Sequence, residues 1–141
     1  MYKELISQLE HHEGFRSHVY KDTVGINTIG FGTNLDKGIT KREAGALLTA
    51  TLEELQFELL ASKRTRGIWE TLSNRRRAVI LNMLYNLGLT RLYGFKRMWA
   101  ALEAGDYNRA SKEMLASKWA RQVGERAKDL ARQMEGDLWQ L

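Results

Sequence analysis

The spacing of the hydrophobic residues changes twice along the chain. In the first thirteen residues, apolar side chains recur at intervals of three and four, which is the spacing of one helical face. From about residue 15 to residue 35, aromatic and β-branched residues alternate with glycines, which predicts a small and irregular antiparallel sheet. After that, helical spacing returns. The pattern therefore predicts an α+β protein that is mostly α-helical.

The second helix is predicted to be long. Thr40 and Glu43 form a capping box at its start, and the apolar spacing continues to about Ala61. At ~1.5 Å per residue, roughly 20 residues would span about 30 Å, which is long enough to connect two lobes. We expect one domain over residues 1–141, with a small N-terminal lobe of about residues 13–45. The C-terminal helical lobe would cover about residues 60–141, and the first helix would pack on it.

The C-terminal half is predicted to contain further helices over residues 66–72, 74–87, 94–103, 106–117 and from 124 towards the end. Ser73 would cap the 74–87 helix, whose apolar residues lie on every side, as expected for a helix buried at the centre of its lobe. Three polar residues interrupt it at i, i+3 and i+4, so they mark one side that faces either a polar network or a ligand. They are Asn82, Tyr85 and Asn86. The four tryptophans, at positions 69, 99, 119 and 139, are expected to serve core or lobe packing and not to form sugar platforms.

Glu13 stands out at the end of the first helix. It follows Tyr2, Ile6 and Leu9 on the same helical face, where a buried leucine would be expected. Gly14 comes next and is suited to a C-terminal cap, which places Glu13 near the negative end of the helix dipole. Burial and the dipole both disfavour a charged carboxylate. A carboxyl group that keeps its proton is suited to general acid catalysis.

Asp22 has a different local sequence. It begins Asp22-Thr23-Val24-Gly25, which is suited to a turn in which the aspartate accepts hydrogen bonds from backbone N–H groups and stays ionised. One protonated and one ionised carboxyl group are typical of glycoside hydrolysis. A single helix-end glutamate or turn aspartate is more often structural, so their spacing alone leaves the function open.

A known family pattern appears between residues 11 and 34. The chain reads Glu13-Gly14, Tyr20-Lys21-Asp22-Thr23, Gly25 and Thr28-Ile29-Gly30-Phe31-Gly32. This segment resembles the phage-type lysozymes, endolysin muramidases related to the enzyme of the T-even phages. Their catalytic pattern E-x8-D-x5-T falls on Glu13, Asp22 and Thr28 without a gap. Weaker similarity continues through residues 76–88, 94–95, 117–119 and 122–126, so the resemblance covers nearly the whole chain.

The resemblance implies a lysozyme-like fold and an inverting muramidase without cofactor or metal. Such an enzyme hydrolyses the β-1,4 bond between N-acetylmuramic acid and N-acetylglucosamine in bacterial peptidoglycan. Glu13 would protonate the glycosidic oxygen, while Asp22 and Thr28 would position the attacking water. Arg126 would pair with Glu13, which opposes the protonated form of the acid.

Substrate contacts are implied less specifically. Asn34 stands at a substrate-contact position of the family, and Tyr85 stands where relatives place an aromatic residue in the cleft. Asn86, on the same polar helix side, is a further substrate-binding candidate. Two other substrate-contact positions of the T-even relative fall on Met98 and Glu113. These residues do not match the relative's residue types and are therefore left out of the predicted site.

Composition and charge limit the partners. The 22 lysines and arginines exceed the 17 acidic residues, and the net charge of +5 favours polyanions such as an acidic cell wall. There is no cysteine, and the sequence shows neither a signal peptide nor a stretch of ~18 apolar residues. We expect a monomer held in the host cytoplasm until a holin gives it access to peptidoglycan in the periplasm. Nucleic-acid binding and stable membrane insertion are not expected.

Three alternatives are considered. A lytic transglycosylase cleaves the same bond with one glutamate and no water, and a water-positioning pair at Asp22 and Thr28 argues against it. A zinc amidase would need a ligand set that His11, His12 and His18 do not supply by their spacing. A basic helical module for nucleic acid or anionic membranes would use clusters such as Arg75-Arg76-Arg77. We expect most of these basic residues to lie on solvated helix faces.

Overall fold

A computed structural model describes residues 2–141. They form two compact units, an N-terminal unit that ends at Leu48 and a C-terminal unit that begins at Thr49. The elements in chain order are α1 (Tyr2–Glu13), β1 (Arg16–Lys21), β2 (Asn27–Gly30), β3 (Thr33–Asn34), α2 (Lys41–Leu59), α3 (Lys63–Thr71), α4 (Asn74–Leu87), α5 (Leu89–Tyr93), α6 (Lys96–Glu103), α7 (Tyr107–Leu115), α8 (Lys118–Val123) and α9 (Glu125–Gly136). The predicted α+β class is confirmed. Among the described residues, no helix combines the length and the hydropathy that a membrane span requires.

The first helix ends where the sequence predicted. Gly14 adopts a positive φ of 70°, and its N–H donates to the carbonyl oxygen of Glu10 at 2.9 Å. The expected burial of its apolar face is not found within the N-terminal unit, where the apolar side chains of α1 are 43–67% exposed and Glu13 is exposed as well. The proposed packing of α1 on the C-terminal lobe stays a prediction.

The predicted sheet is present, with strand order β1-β2-β3 and both pairs antiparallel. Tyr20 of β1 and Asn34 of β3 both lie opposite Thr28, on either side of the central strand. Residues directly opposite each other in such a sheet point to the same face. Tyr20, Thr28 and Asn34 therefore form one row across the sheet, and the register irregularity lies between Arg16 and Tyr20.

The capping box of α2 is formed as predicted. The Thr40 N–H donates to Glu43 Oε1 at 2.9 Å, and the Glu43 N–H donates to Thr40 Oγ1 at 3.1 Å. These bonds from Thr40 lower the pKa of the Glu43 carboxyl. The helix runs to Leu59, and residues on both sides of the boundary between the two units belong to it. Its role as an interlobe helix stays a prediction.

The C-terminal unit is built around α4, as its apolar sequence predicted. Val79, Ile80, Met83 and Leu84 are each no more than 1% exposed. Helix α9 packs against both α4 and α7, and α6 packs against α7. Three of the tryptophans, at positions 69, 99 and 119, belong to this core. The fourth, Trp139, lies beyond the end of α9 and is 53% exposed, so it does not belong to this core.

Arg75 and Arg76, at the start of α4, connect this helix to the end of α9. Arg76 Nε donates to the carbonyl oxygen of Met134 at 2.7 Å, and its guanidinium lies 3.7 Å from the ring centroid of Tyr107. Arg75 Nε donates to the backbone oxygen of Asp137 at 2.7 Å. The expectation of a solvated face is therefore wrong for these residues, which are half-buried because they bind the unpaired carbonyls at the end of α9.

Candidate functional site

Asp22 lies in the loop between β1 and β2, and its side chain organises that loop. Its Oδ1 accepts hydrogen bonds from the N–H groups of Val24 and Ile26, each at 2.9 Å. The turn predicted from its local sequence is therefore present. Among residues 2–141, no hydrogen bond to Asp22 Oδ2 is found, so the second carboxylate oxygen is available to a ligand or water.

Thr28 is the one buried residue among those described in the N-terminal unit, with 4% of its surface exposed. Its hydroxyl donates to the carbonyl oxygen of Ile26 at 2.8 Å. That bond uses the hydroxyl proton, so Thr28 Oγ1 can only accept a further hydrogen bond. A water molecule that donates one proton to Thr28 and another to a carboxylate would be held in a defined orientation.

Asp22 and Thr28 are joined through Ile26. Its N–H binds Asp22 Oδ1, while its carbonyl accepts both the Thr28 hydroxyl and the Asp22 backbone N–H. These two predicted site residues are thus brought together by local backbone, in a loop of seven residues that includes both. The arrangement offers two acceptors to a bound water.

Glu13 lies against the hairpin turn that connects β2 and β3. Its carboxylate is so close to Gly32 that a Cβ at position 32 would be 2.6 Å from Glu13 Oε2. All three predicted catalytic residues therefore belong to the same compact unit, on α1, on the β1–β2 loop and on β2.

Asn34 is the neighbour of Thr28 on the edge strand β3. Its Oδ1 accepts the N–H of Asp36 at 2.9 Å, and the Asp36 carboxylate in turn accepts from Asn27 Nδ2 at 3.0 Å. This network fixes the end of the hairpin. It leaves Asn34 half-buried in the row that contains Thr28.

The polar side of α4 lies in the C-terminal unit. Tyr85 is 51% exposed, and Asn86 Oδ1 accepts the indole N–H of Trp119 at 2.7 Å. Arg126 binds Asn82, since its Nε and Nη2 donate to Asn82 Oδ1 at 3.0 and 2.8 Å. Asn82 is therefore part of a polar network, which is one of the two roles that the sequence left open for this side of α4. The pairing of Arg126 with Glu13 stays a prediction.

A cavity of about 600 Å³ opens on the C-terminal unit and includes two positions that the predicted site left out. Met98 and Glu113 are both among its lining residues. Four exposed basic side chains also line it, those of Arg91, Lys96, Arg97 and Lys118. Sequence reasoning missed this cavity because its lining comes from separate helices, and the two positions differ in residue type from the family pattern.

No metal site accompanies these residues. In the part of the chain that the structure describes, no three histidine, cysteine, aspartate or glutamate side chains form a group that could hold a metal ion. The rings of His11 and His12 are 6.0 Å apart between centroids and tilted by 51°. The three predicted catalytic side chains themselves offer two carboxyl groups and a hydroxyl.

Comparison with known sequences decides the family. Residues 10–136 match the family described as phage lysozyme, a range that covers most of the chain and includes Glu13, Asp22 and Thr28. The chain belongs to the phage lysozyme family. The resemblance seen in the sequence is thereby confirmed, and membership indicates a glycoside hydrolase of the lysozyme type.

Three relatives show similar levels of sequence identity to this chain. The pre-baseplate central spike protein Gp5 of Enterobacteria phage T4 is 26% identical over 149 residues, which cover 87% of this chain and 26% of that protein. The chain thus spans about a quarter of the length of the spike protein. Two proteins of Dictyostelium discoideum, probable T4-type lysozymes 1 and 2, are 28% and 24% identical over 90% of this chain and 91% of their own lengths.

Proposed function

We propose that this phage lysozyme hydrolyses the β-1,4 bond between N-acetylmuramic acid and N-acetylglucosamine in bacterial peptidoglycan. The observation that carries the proposal is the link between Asp22 and Thr28 through Ile26, in a unit that also holds Glu13. Hydrolysis of a glycosidic bond needs an acid for the leaving oxygen and a base for the water. The three side chains supply these roles.

Glu13 is the acid in this mechanism. It donates its proton to the glycosidic oxygen as the bond to the anomeric carbon breaks, which avoids the expulsion of a charged alkoxide. The side chain is exposed, and its position against Gly32 sets its carboxyl beside the β2–β3 turn. The acid thus faces solvent and remains accessible to a polymeric substrate.

Asp22 and Thr28 hold the attacking water. The water donates one proton to Asp22 Oδ2, which acts as the base, and the other to Thr28 Oγ1. Its oxygen then attacks the anomeric carbon from the face opposite the leaving sugar. Because one displacement occurs, the configuration inverts, and the first product of β-bond cleavage is the α-anomer.

The substrate contacts extend beyond the three catalytic residues. Asn34 lies in the same row as Thr28 and is suited to bind a sugar next to the reacting bond. We assign Tyr85 and Asn86 to further glycan contacts and Arg126 to support of Glu13. The cavity at Met98 and Glu113 has four basic side chains on its lining, which suits the carboxylates of a stem peptide.

The biological role that follows is host cell lysis by a phage. A net charge of +5 favours attraction to an anionic cell wall. We assign the enzyme to the endolysins, which act on peptidoglycan once a holin has opened the inner membrane. No cofactor takes part in the proposed reaction.

The proposal is tested by the release of reducing ends from purified peptidoglycan. Glu13→Gln is nearly isosteric and removes only the acid, so we expect its rate to fall by at least about 10²-fold. Glu10→Gln makes the same change three residues earlier on α1, and we expect a rate within about twofold of the wild type. A Glu13→Gln variant as fast as Glu10→Gln would exclude Glu13 as the acid. NMR of the first product would report inversion or retention.

A further inference from the structure

The backbone of Gly32 lies so close to the Glu13 carboxyl group that no residue with a Cβ atom would fit at position 32 without a shift. It occupies the turn between β2 and β3 with a φ of +77°. A Cβ built on its backbone would lie 2.6 Å from Glu13 Oε2, 2.9 Å from Cδ and 3.3 Å from Cγ. Real Cβ atoms essentially never come within 3.0 Å of another heavy atom. Any L-residue at position 32 therefore forces the Glu13 carboxyl to move.

We infer that Gly32 is a positioning residue for Glu13, an inference that rests on the proposed function. The bare backbone of the turn provides the surface against which the carboxyl lies. That turn follows β2, the strand that carries Thr28, so the contact relates the acid to the residue that binds the water. Gly32 acts through Glu13 and does not touch the reacting atoms.

A second glycine, at the end of β2, separates crowding from backbone conformation. Gly30 also has a positive φ, +68°, so a side chain there meets the same conformational strain as at Gly32. A Cβ at Gly30, however, has no atom within 4 Å. The two positions share the need for a left-handed backbone, and only Gly32 is in contact with the Glu13 carboxyl.

The expected consequence is a displaced acid on an intact fold. These contacts are with the flexible end of Glu13, so the side chain can rotate away from a new methyl group. A displacement of about 1 Å of a catalytic group can lower the rate about 10²-fold. Substrate binding depends on other residues, so the loss should fall on kcat and leave KM nearly unchanged.

The experiment compares Gly32→Ala with Gly30→Ala in the full chain, using soluble peptidoglycan fragments. We expect similar decreases in Tm, a kcat about 10²-fold lower for Gly32→Ala, and a kcat within about threefold of wild type for Gly30→Ala. If alanine at either position prevents folding, the pair Gly32→Asn and Gly30→Asn replaces it, because asparagine tolerates a positive φ.

Coupling to Glu13 distinguishes a positioning role from a structural one. In a Glu13→Gln background, Gly32→Ala should lower the residual rate by less than twofold, since the group it displaces is no longer an acid. Equal kcat losses at both glycines, or a full additional loss in the Glu13→Gln background, would overturn the inference while the proposed function stands. A fully active Glu13→Gln variant would overturn both.

Discussion

The backbone of Ile26 binds Asp22 twice, because its N–H donates to Asp22 Oδ1 and its carbonyl accepts the Asp22 N–H, each at 2.9 Å. These two bonds connect the ends of the turn from Asp22 to Ile26 and hold the Asp22 carboxylate in one orientation. Thr28 adds its hydroxyl to the same carbonyl. The water-binding pair is therefore oriented by short-range bonds, and changes to these two side chains should affect chemistry more than folding.

Asp22→Asn should separate the structural role of this residue from its catalytic role. Asparagine retains an Oδ1 that can accept the N–H groups of Val24 and Ile26, so the turn and the Tm should be preserved. The base is lost, and we expect the rate on peptidoglycan to fall by at least about 10²-fold. Asp129→Asn, the same change at a side chain that pairs with Arg132 on α9 in the C-terminal unit, is the control for which activity should persist. Similar rates in both variants would contradict the assignment.

Thr28→Val and Thr28→Ser should differ in activity. Valine has the same shape but cannot accept a hydrogen bond from water, so kcat should fall by about 10²-fold. The Ile26 carbonyl would also lose a donor, which costs about 1 kcal/mol of unfolding free energy. Serine retains the hydroxyl, and its kcat should remain within about tenfold of the wild type. Chemical denaturation and steady-state kinetics check both effects, and an active valine variant would remove Thr28 from the mechanism.

Asp137 should make stability depend on acid pH. The Ser73 hydroxyl, which donates to Asp137 Oδ1 at 2.5 Å, is the main cause that lowers the pKa of this carboxyl below its usual range, with Arg75 adding to it against partial burial. A carboxyl whose pKa is lower in the folded state stabilises the protein above its unfolded pKa. That contribution is lost as the pH falls through the folded value.

The measurement is the difference in unfolding free energy between wild type and Asp137→Asn as a function of pH. Asparagine also tolerates the left-handed conformation of residue 137, which has a φ of 54°. The difference should be constant from neutral pH to about pH 5 and should shrink below about pH 4. Ser73→Ala should reduce this pH dependence. A difference that grows in acid would contradict the sign.

Salt should weaken lysis of cells. Screening shortens the Debye length to about 8 Å near physiological ionic strength, so attraction between a +5 protein and an anionic wall declines. We expect lysis of permeabilised cells to fall steeply from low to high salt. Replacing Lys96 and Lys118 by glutamine should make lysis less sensitive to salt, because both basic side chains line the cavity at Met98 and Glu113. Equal lysis at all salt concentrations would exclude electrostatic attraction to the wall.

Much of the fold was predictable because its signals are local. The cap at Gly14, the capping box of Thr40 and Glu43 and the serine cap of α4 depend on neighbours within four residues, and all three are formed. The turn at Asp22 is local in the same way. The short helices α5 and α8 were missed, because five or six residues are too few to show helical periodicity. The cap of α8 at Ser117 was the available signal.

Long-range contacts were not predictable in the same way. The exposure of α1 depends on what covers it, and the sequence specifies only its apolar face. The bonds from Arg76 to the end of α9 join residues 58 and 59 positions apart in sequence. The contact between Glu13 and Gly32 likewise depends on how a helix end meets a turn. Each requires three-dimensional packing that periodicity does not encode.

The most direct test of the central claim is mass spectrometry of purified peptidoglycan after digestion, with Glu13→Gln as the control. The proposed mechanism adds water across the bond, so the wild type should release fragments that end in reducing, hydrated muramic acid, and the control should release almost none. Fragments that end in anhydro-muramic acid would contradict it, because they form without water and leave Asp22 and Thr28 with no catalytic role.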